Sequence, residues 1–141
     1  MTRAGEVSLL LLRVGAGGML CIYHGWGKLL AAWGYLFGGA EWGFVGFVAS
    51  LGFPLAGFFA VCAALAESVA AVLLAAGLWT RYMALVVAGN MAVAVYHHAR
   101  SDGKIELALF YLLAALVFVF LPAGRFSLDA LLGARGPARK K

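Results

Sequence analysis

Charged residues are scarce in this chain, and their scarcity excludes an ordinary water-soluble fold. Only 12% of the 141 residues are charged and 65% are hydrophobic, with a mean hydropathy of +0.96. A typical soluble domain carries about 25% charged and about 45–50% apolar residues, and it still leaves roughly 30% of the surface of its chain in solvent. The composition therefore predicts an integral membrane protein whose solvent is the lipid bilayer.

Sequence motifs of soluble enzymes and of cofactor sites are also missing. The two cysteines, Cys21 and Cys62, form no CxxC motif, so neither a zinc site nor a motif-type redox pair is indicated. There is no GxSxG or Walker sequence, and no ligation pattern for haem or an iron–sulfur cluster. The adjacent His97 and His98 would point about 100° apart on a helix. We therefore predict no metal site.

The net charge of +5 argues for contact with lipid headgroups and against nucleic-acid binding. The basic residues collect at the ends of the hydrophobic runs and in the last seven residues, where they suit an anionic membrane surface. Lys and Arg mark the cytoplasmic side of membrane proteins, and their distribution predicts that both termini are cytoplasmic, with Arg81 and Arg125 as anchors on that face. The inner set is Arg3, Arg81, Arg125, Arg135, Arg139, Lys140 and Lys141, and the outer set is Lys28, Arg100 and Lys104.

Four hydrophobic runs are separated by short polar or glycine-rich connections. A membrane span needs roughly 20 residues, and only hydrogen-bonded structure such as a helix is tolerated in lipid. We therefore expect one all-α domain over residues 1–141, an integral membrane four-helix bundle. Between the first two spans, an apolar face with Phe44 and Phe47 predicts an interfacial helix over 43–51, and Pro54 suits the first turn of the second span. The expected spans are 7–31, 54–78, 82–99 and 105–121, followed by a basic cytoplasmic tail over 123–141.

The residues most informative about function are ionisable groups inside these runs. Such a group near the bilayer centre costs about 2.5–3.5 kcal/mol on insertion scales, so it needs a partner or a role. In the first helix, Arg13, His24 and Lys28 fall on one stripe at about 100° per residue, which we expect to face the bundle interior. Glu67 lies near the middle of the second helix. Its depth predicts that Arg13 or His24 is its partner.

Further polar residues extend this candidate site along the later helices. Asn90 and His97 are seven residues apart and share a face of the third helix, and Glu106 begins the fourth. Such a set could bind a polar headgroup, relay protons or only fix the register of the helices, and Arg13 and Lys28 could also reach the interface. The candidate polar site comprises Arg13, His24, Lys28, Glu67, Asn90, His97 and Glu106.

Several short segments, taken in order, resemble the DoxX family of small membrane proteins. The matching segments are LLLR ending at Arg13, HGWGK at 24–28, FVASLGFP at 47–54, AE at 66–67, GLWTR at 77–81, ELAL at 106–109 and GRFSLD at 124–129. The resemblance runs from about residue 9 to 129. It implies a four-helix protein of a bacterial or archaeal plasma membrane.

The resemblance also implies a redox setting. The family takes its name from subunits of a terminal oxidase and a thiosulfate:quinone oxidoreductase system, and some members are linked to oxidative-stress complexes. We therefore expect a membrane subunit of an oxidoreductase complex with a protein partner and a quinone site. His24 and Lys28 would bind a quinone oxygen, and Glu67 or Glu106 would handle protons. A non-enzymatic scaffold or assembly protein is the alternative, followed by a transporter of protons or a small solute. The sequence leaves the oligomeric state open.

Overall fold

Residues 2–134 are described by a computed structural model, and within them the chain forms six helices and no β-strand. Two of the helices are continuous although each contains a short π-helical turn, at Cys21–Gly25 and at Ala66–Ala70. The helices are α1 (Arg3–Phe37), α2 (Gly43–Ser50), α3 (Ala56–Ala76), α4 (Thr80–Ser101), α5 (Glu106–Phe120) and α6 (Leu128–Ala134). The prediction of an all-helical chain is therefore confirmed.

Helices α1 and α3 are the two in residues 2–134 that are long and apolar enough to cross a membrane. With 35 residues, α1 is about 52 Å long, well beyond the hydrocarbon thickness of about 30 Å. Helix α4 has 22 residues but a more polar sequence, and α5 is apolar but only 15 residues long. The expectation of four crossings therefore remains a prediction.

Several helix ends differ from the predicted ones, at positions where the sequence pattern does not mark the end of a helix. Helix α1 continues to Phe37, six residues past the predicted end at 31, and α4 continues to Ser101 instead of ending near 99. The expectation for Pro54 is wrong: it lies in a turn before α3, and Leu55 at the helix start has a left-handed φ of 52°. A short helix does lie between the two predicted spans, at Gly43–Ser50.

Close packing of α1 on α3 depends on two glycines of α1. A methyl group on Gly17 would lie 2.6 Å from the backbone oxygen of Ala71, and one on Gly25 would overlap the backbone carbonyl of Glu67. Small residues let helix backbones approach in this way. Because Gly25 and Glu67 belong to the two π-helical turns, these turns contact each other at the level of the Glu67 side chain.

The remaining core joins the α4–α5 pair to α1 and α3. Its fully buried members are mostly small, such as Ala71, Ala84 and Ala115, with Leu20 and Phe118 as the bulky residues. The larger apolar side chains on the outward faces are exposed, as in Leu11, Tyr82 and Phe120 among others. Small residues in the core and large apolar residues on the outer surface suit helices that face lipid, since lipid and not water contacts that surface.

Candidate functional site

Arg13 is buried where α3 ends and α4 begins, and it is only 1% exposed. Its Nε donates a hydrogen bond to the carbonyl oxygen of Ala75 (3.0 Å) and Nη2 donates to that of Phe126 (2.9 Å), while Nη1 donates to the carbonyl oxygen of Ala123. The planar guanidinium has five N–H donors in a fixed arrangement, so one side chain ties α1 to the end of α3 and to the segment after α5. We call Arg13 together with the segment 123–129 the clasp.

Asp129 completes the clasp by capping helix α4. Its Oδ1 accepts from the backbone N–H of Trp79 (2.8 Å), and its Oδ2 accepts from the N–H and the hydroxyl of Thr80 (2.9 and 2.7 Å). Burial raises the pKa of Asp129, but the hydrogen bonds from Thr80 and Trp79 and the charge of Arg13 outweigh it, so the pKa lies below its ordinary value. A carboxylate is stabilised at a helix N-terminus, which α4 presents here.

The two predicted anchors, Arg81 and Arg125, are exposed and lie at the clasp end of the molecule. The backbone N–H of Arg125 donates to the carboxylate of Glu6 at 2.8 Å, which holds the start of α1 against the clasp. The basic residues from Arg135 onward lie outside the described residues.

A second polar cluster lies deeper in the bundle, around Glu67. The Nζ of Lys28 is 2.8 and 2.7 Å from the two carboxylate oxygens, and Nδ2 of Asn90 donates to Oε1 at 2.9 Å. The Glu67 side chain is 8% exposed and that of Lys28 is 28% exposed. The cluster thus joins α1, α3 and α4, and the expectation that Arg13 or His24 pairs with Glu67 is wrong.

The π-helical turn of α1 explains the different pairing. The predicted stripe assumed 100° per residue from Arg13 to Lys28, but a π-turn has i→i+5 hydrogen bonds and holds more residues per turn. Residues after Cys21–Gly25 are therefore turned relative to those before it. As a result Lys28, and not His24, contacts Glu67. Arg13 precedes the π-turn and lies about 18 Å along α1 from Gly25, the residue that packs on Glu67, so it contacts the clasp instead.

A cavity of about 640 Å³ opens beside the Glu67 cluster, between α2, α3 and α4. Four residues of the predicted polar site line it, namely Lys28, Glu67, Asn90 and His97, together with His98. The rest of its wall is apolar and consists mainly of Phe44, Phe47, Val48, Leu51, Phe53, Phe59, Cys62, Ala63, Ala66, Leu85, Val86, Gly89, Val93 and Ala94. The cavity therefore combines an apolar interior with a few polar groups on one wall.

Helix α2 lines one side of the cavity with aromatic rings. The Phe44 ring centroid is 4.7 Å from Nζ of Lys28, a cation–π contact. The ring of Phe47 meets that of His97 edge-on at 4.8 Å. The sequence placed Phe44 and Phe47 on one apolar face, but it gave no sign that this face covers the polar cluster instead of lipid.

Three members of the predicted site lie elsewhere. Arg13 belongs to the clasp, and Glu106 is exposed at the start of α5. His24 packs edge-on against Tyr111 of α5, with ring centroids 6.0 Å apart. The expected single column of seven polar residues is therefore divided into a clasp, a cavity wall and two separate residues.

At the far end of the cavity, His98 is held by a residue beyond α4. Its Nδ1 lies 3.0 Å from the carboxylate of Asp102, while the Nε2 of His97 lies 3.4 Å from the Ser101 hydroxyl. The hydrogen bonds from the backbone of Lys104 and from His98 lower the pKa of the exposed Asp102 carboxyl. This carboxylate was not among the predicted site residues.

These features define a small helical membrane protein with a partly buried ion pair at the wall of an open cavity. The family model for DoxX matches residues 8–99, which is more than half of the chain, and the chain belongs to the DoxX family. The match ends before α5 and the clasp segment. No curated protein and no solved structure matches the chain.

Proposed function

We propose that this chain is a membrane subunit of an oxidoreductase complex and that its cavity binds a quinone. The observation that carries the proposal is the cluster of Lys28, Glu67 and Asn90 on the wall of an otherwise apolar cavity of about 640 Å³. Small-molecule sites commonly enclose about 300–1,000 Å³ and place a few polar groups in a mostly apolar lining. A quinone has matching chemistry, since its ring oxygens are polar and its substituents are apolar.

Within this proposal the polar wall receives the quinone ring and the aromatic residues of α2 cover it. Glu67 is the group placed to exchange protons, because it is the one carboxylate among the cavity-lining residues that the structure describes. His24 and Glu106 have no part in it, since neither lines the cavity. The sequence offers no ligation pattern for haem or an iron–sulfur cluster, so a partner protein would supply or remove the electrons.

The proposed topology has four crossings of a bacterial or archaeal plasma membrane, with both ends in the cytoplasm. Hydrogen bonds of the clasp bring the start of α4 and the segment after α5 to the same end of the molecule as Glu6 of α1. Four helices that cross the membrane in alternating directions would have these three segments on one side. Arg81 and Arg125 lie at that end and would be cytoplasmic. Single cysteines at Arg125 and at Gly103, in a chain without native cysteines, should react with an impermeant maleimide from opposite sides of the membrane. Labelling of both from one side contradicts the topology.

A cavity-filling variant tests quinone binding. Gly89 lines the cavity and Gly15 does not, and a methyl group at either position would have no atom within 4 Å. Gly89→Leu and Gly15→Leu make the same substitution in a helix, the first inside the cavity and the second, as the control, outside it. In lipid nanodiscs, Gly89→Leu should weaken binding of duroquinone more than tenfold, while Gly15→Leu should leave it unchanged.

Equal binding by both variants, or no binding by the wild type, contradicts the proposal. The thiol of Cys62, which lines the cavity, provides a second measurement, because its alkylation should slow when duroquinone is bound. The thiol of Cys21 is the control, since it does not line the cavity.

A scaffold without a ligand is the alternative, and one observation favours it. Glu67 already accepts hydrogen bonds from residues of two other helices, an arrangement that would fix helix register without any ligand. Under the scaffold hypothesis, Glu67→Gln lowers thermal stability and the wild type binds no quinone. Quinone binding by the wild type supports the quinone site, and its absence supports the scaffold.

A further inference from the structure

The side-chain amide of Asn90 has an acceptor that the bundle leaves free. Its Nδ2 donates to Oε1 of Glu67 at 2.9 Å, and an ionised carboxylate only accepts, so the nitrogen must face Glu67. No residue within 2–134 donates a hydrogen bond to the opposite atom, Oδ1. In the same residues no buried side-chain nitrogen or oxygen lacks a partner. The Oδ1 atom is therefore accessible, and Asn90 lines the cavity.

The nearby ammonium group of Lys28 has little left to offer a ligand. An ammonium has three N–H donors. Two contacts go to the carboxylate oxygens of Glu67 at 2.8 and 2.7 Å, and the Phe44 ring lies 4.7 Å away. Hence the wall offers a ligand the open oxygen and the second hydrogen of the Asn90 amide, together with one remaining N–H of Lys28.

We propose that the cavity binds the reduced, hydroquinone form in preference to the quinone; this inference rests on the proposed function. A quinone carbonyl only accepts hydrogen bonds, so it can use the remaining N–H of Asn90 but leaves Oδ1 unpaired. A hydroxyl group both donates and accepts, so it satisfies both atoms of the amide. An unpaired acceptor in an apolar cavity carries a desolvation cost, which the quinone incurs and the hydroquinone avoids.

A preference for the reduced form affects the bound redox couple. A hydroquinone bound about tenfold more tightly than its quinone raises the potential of the bound two-electron couple by about 30 mV. The bound couple would then be easier to reduce than the same couple free in the membrane.

Three related probes test the preference on the wild-type protein in lipid nanodiscs under anaerobic conditions. They are tetramethylhydroquinone, its dimethyl ether and duroquinone, which share the same ring and methyl groups. The ether and the quinone accept hydrogen bonds but cannot donate them. We expect the hydroquinone to bind about five- to tenfold more tightly than either, as one additional hydrogen bond provides.

Two variants assign the preference to Asn90. Asn90→Leu removes the acceptor and should bring the three dissociation constants within about twofold of one another. Gly15→Leu lies outside the cavity and should preserve the wild-type ratio. A quinone or ether that binds as tightly as the hydroquinone overturns this inference and leaves the proposed function intact. Absence of binding by all three probes overturns both. The wild-type comparison decides the question even if Asn90→Leu does not fold.

Discussion

Replacement of Arg13 by methionine should be among the most destabilising single changes in this protein. The side chain is 1% exposed and donates to the carbonyl oxygens of Ala75, Ala123 and Phe126. Methionine has a similar length but no donor, so three carbonyls at the clasp lose their partner together. Hydrogen bonds to charged groups contribute about 1.5–3 kcal/mol each.

The sum of three such bonds overstates the loss, because the wild-type protein also bears the cost of burying the guanidinium. A buried acceptor left without a partner costs about 1–3 kcal/mol. With three carbonyls affected, we expect Arg13→Met to cost about 3–5 kcal/mol in total. Arg13→Lys keeps the charge but not the planar arrangement of donors, so its loss should be smaller.

The measurement is the free energy of unfolding in mixed detergent micelles, followed by circular dichroism during titration with sodium dodecyl sulfate. Arg125→Met is the matched control, because Arg125 is exposed and its only bond to Glu6 comes from the backbone N–H. An exposed substitution of this kind usually changes stability by less than about 0.5 kcal/mol. If Arg13→Met is no more destabilising than Arg125→Met, the clasp does not hold the bundle together and our reasoning is wrong.

Two further predictions concern pH and backbone approach. Folding lowers the pKa of Asp129, so the ionised carboxylate stabilises the folded state. This contribution is fully present above the ordinary carboxyl pKa of about 3.9. It is lost as the pH falls through the lower pKa of the folded state. The stability difference between wild type and Asp129→Asn should therefore be constant from pH 7 to 5 and shrink below pH 4 in thermal unfolding; a difference that grows on acidification contradicts the assignment. Gly25→Ala should destabilise the protein because its methyl group would overlap the facing π-turn, whereas Gly27→Ala meets nothing within 4 Å and should be neutral or slightly stabilising, as helix propensity favours alanine. Equal melting temperatures for the two variants would show that the π-turns are not in close contact.

The helical architecture and the important polar residues were predictable because both follow from the physics of lipid. A run of apolar residues must satisfy its backbone internally, and an ionisable residue inside such a run needs a partner. Those two arguments were enough to single out Lys28, Glu67 and Asn90, which the structure brings together. They did not identify the pairs, since depth along a helix does not determine which way a side chain points.

The pairing of Lys28 with Glu67 could not be predicted because of the local geometry of α1. The clasp could not be predicted because its contacts join residues far apart in the sequence. A π-helical turn changes the angular register of all later residues, and nothing in the composition of Cys21–Gly25 distinguishes it from an α-helical turn. The acceptors of Arg13 are backbone carbonyls, up to 113 residues away in sequence. Every residue offers a carbonyl, so no side-chain pattern could indicate them.

The size of the cavity bears on whether the bundle is built for binding or only for stability. Small residues, Ala63, Ala66, Gly89 and Ala94, line its α3 and α4 walls, and larger apolar residues there would fill space that now lacks protein contacts. Filling such a space usually stabilises a protein, and the usual cost is function. Gly89→Leu should therefore raise the melting temperature above that of the wild type while weakening duroquinone binding. A Gly89→Leu variant that is more stable and still binds duroquinone as the wild type does would remove the argument for a ligand in this cavity.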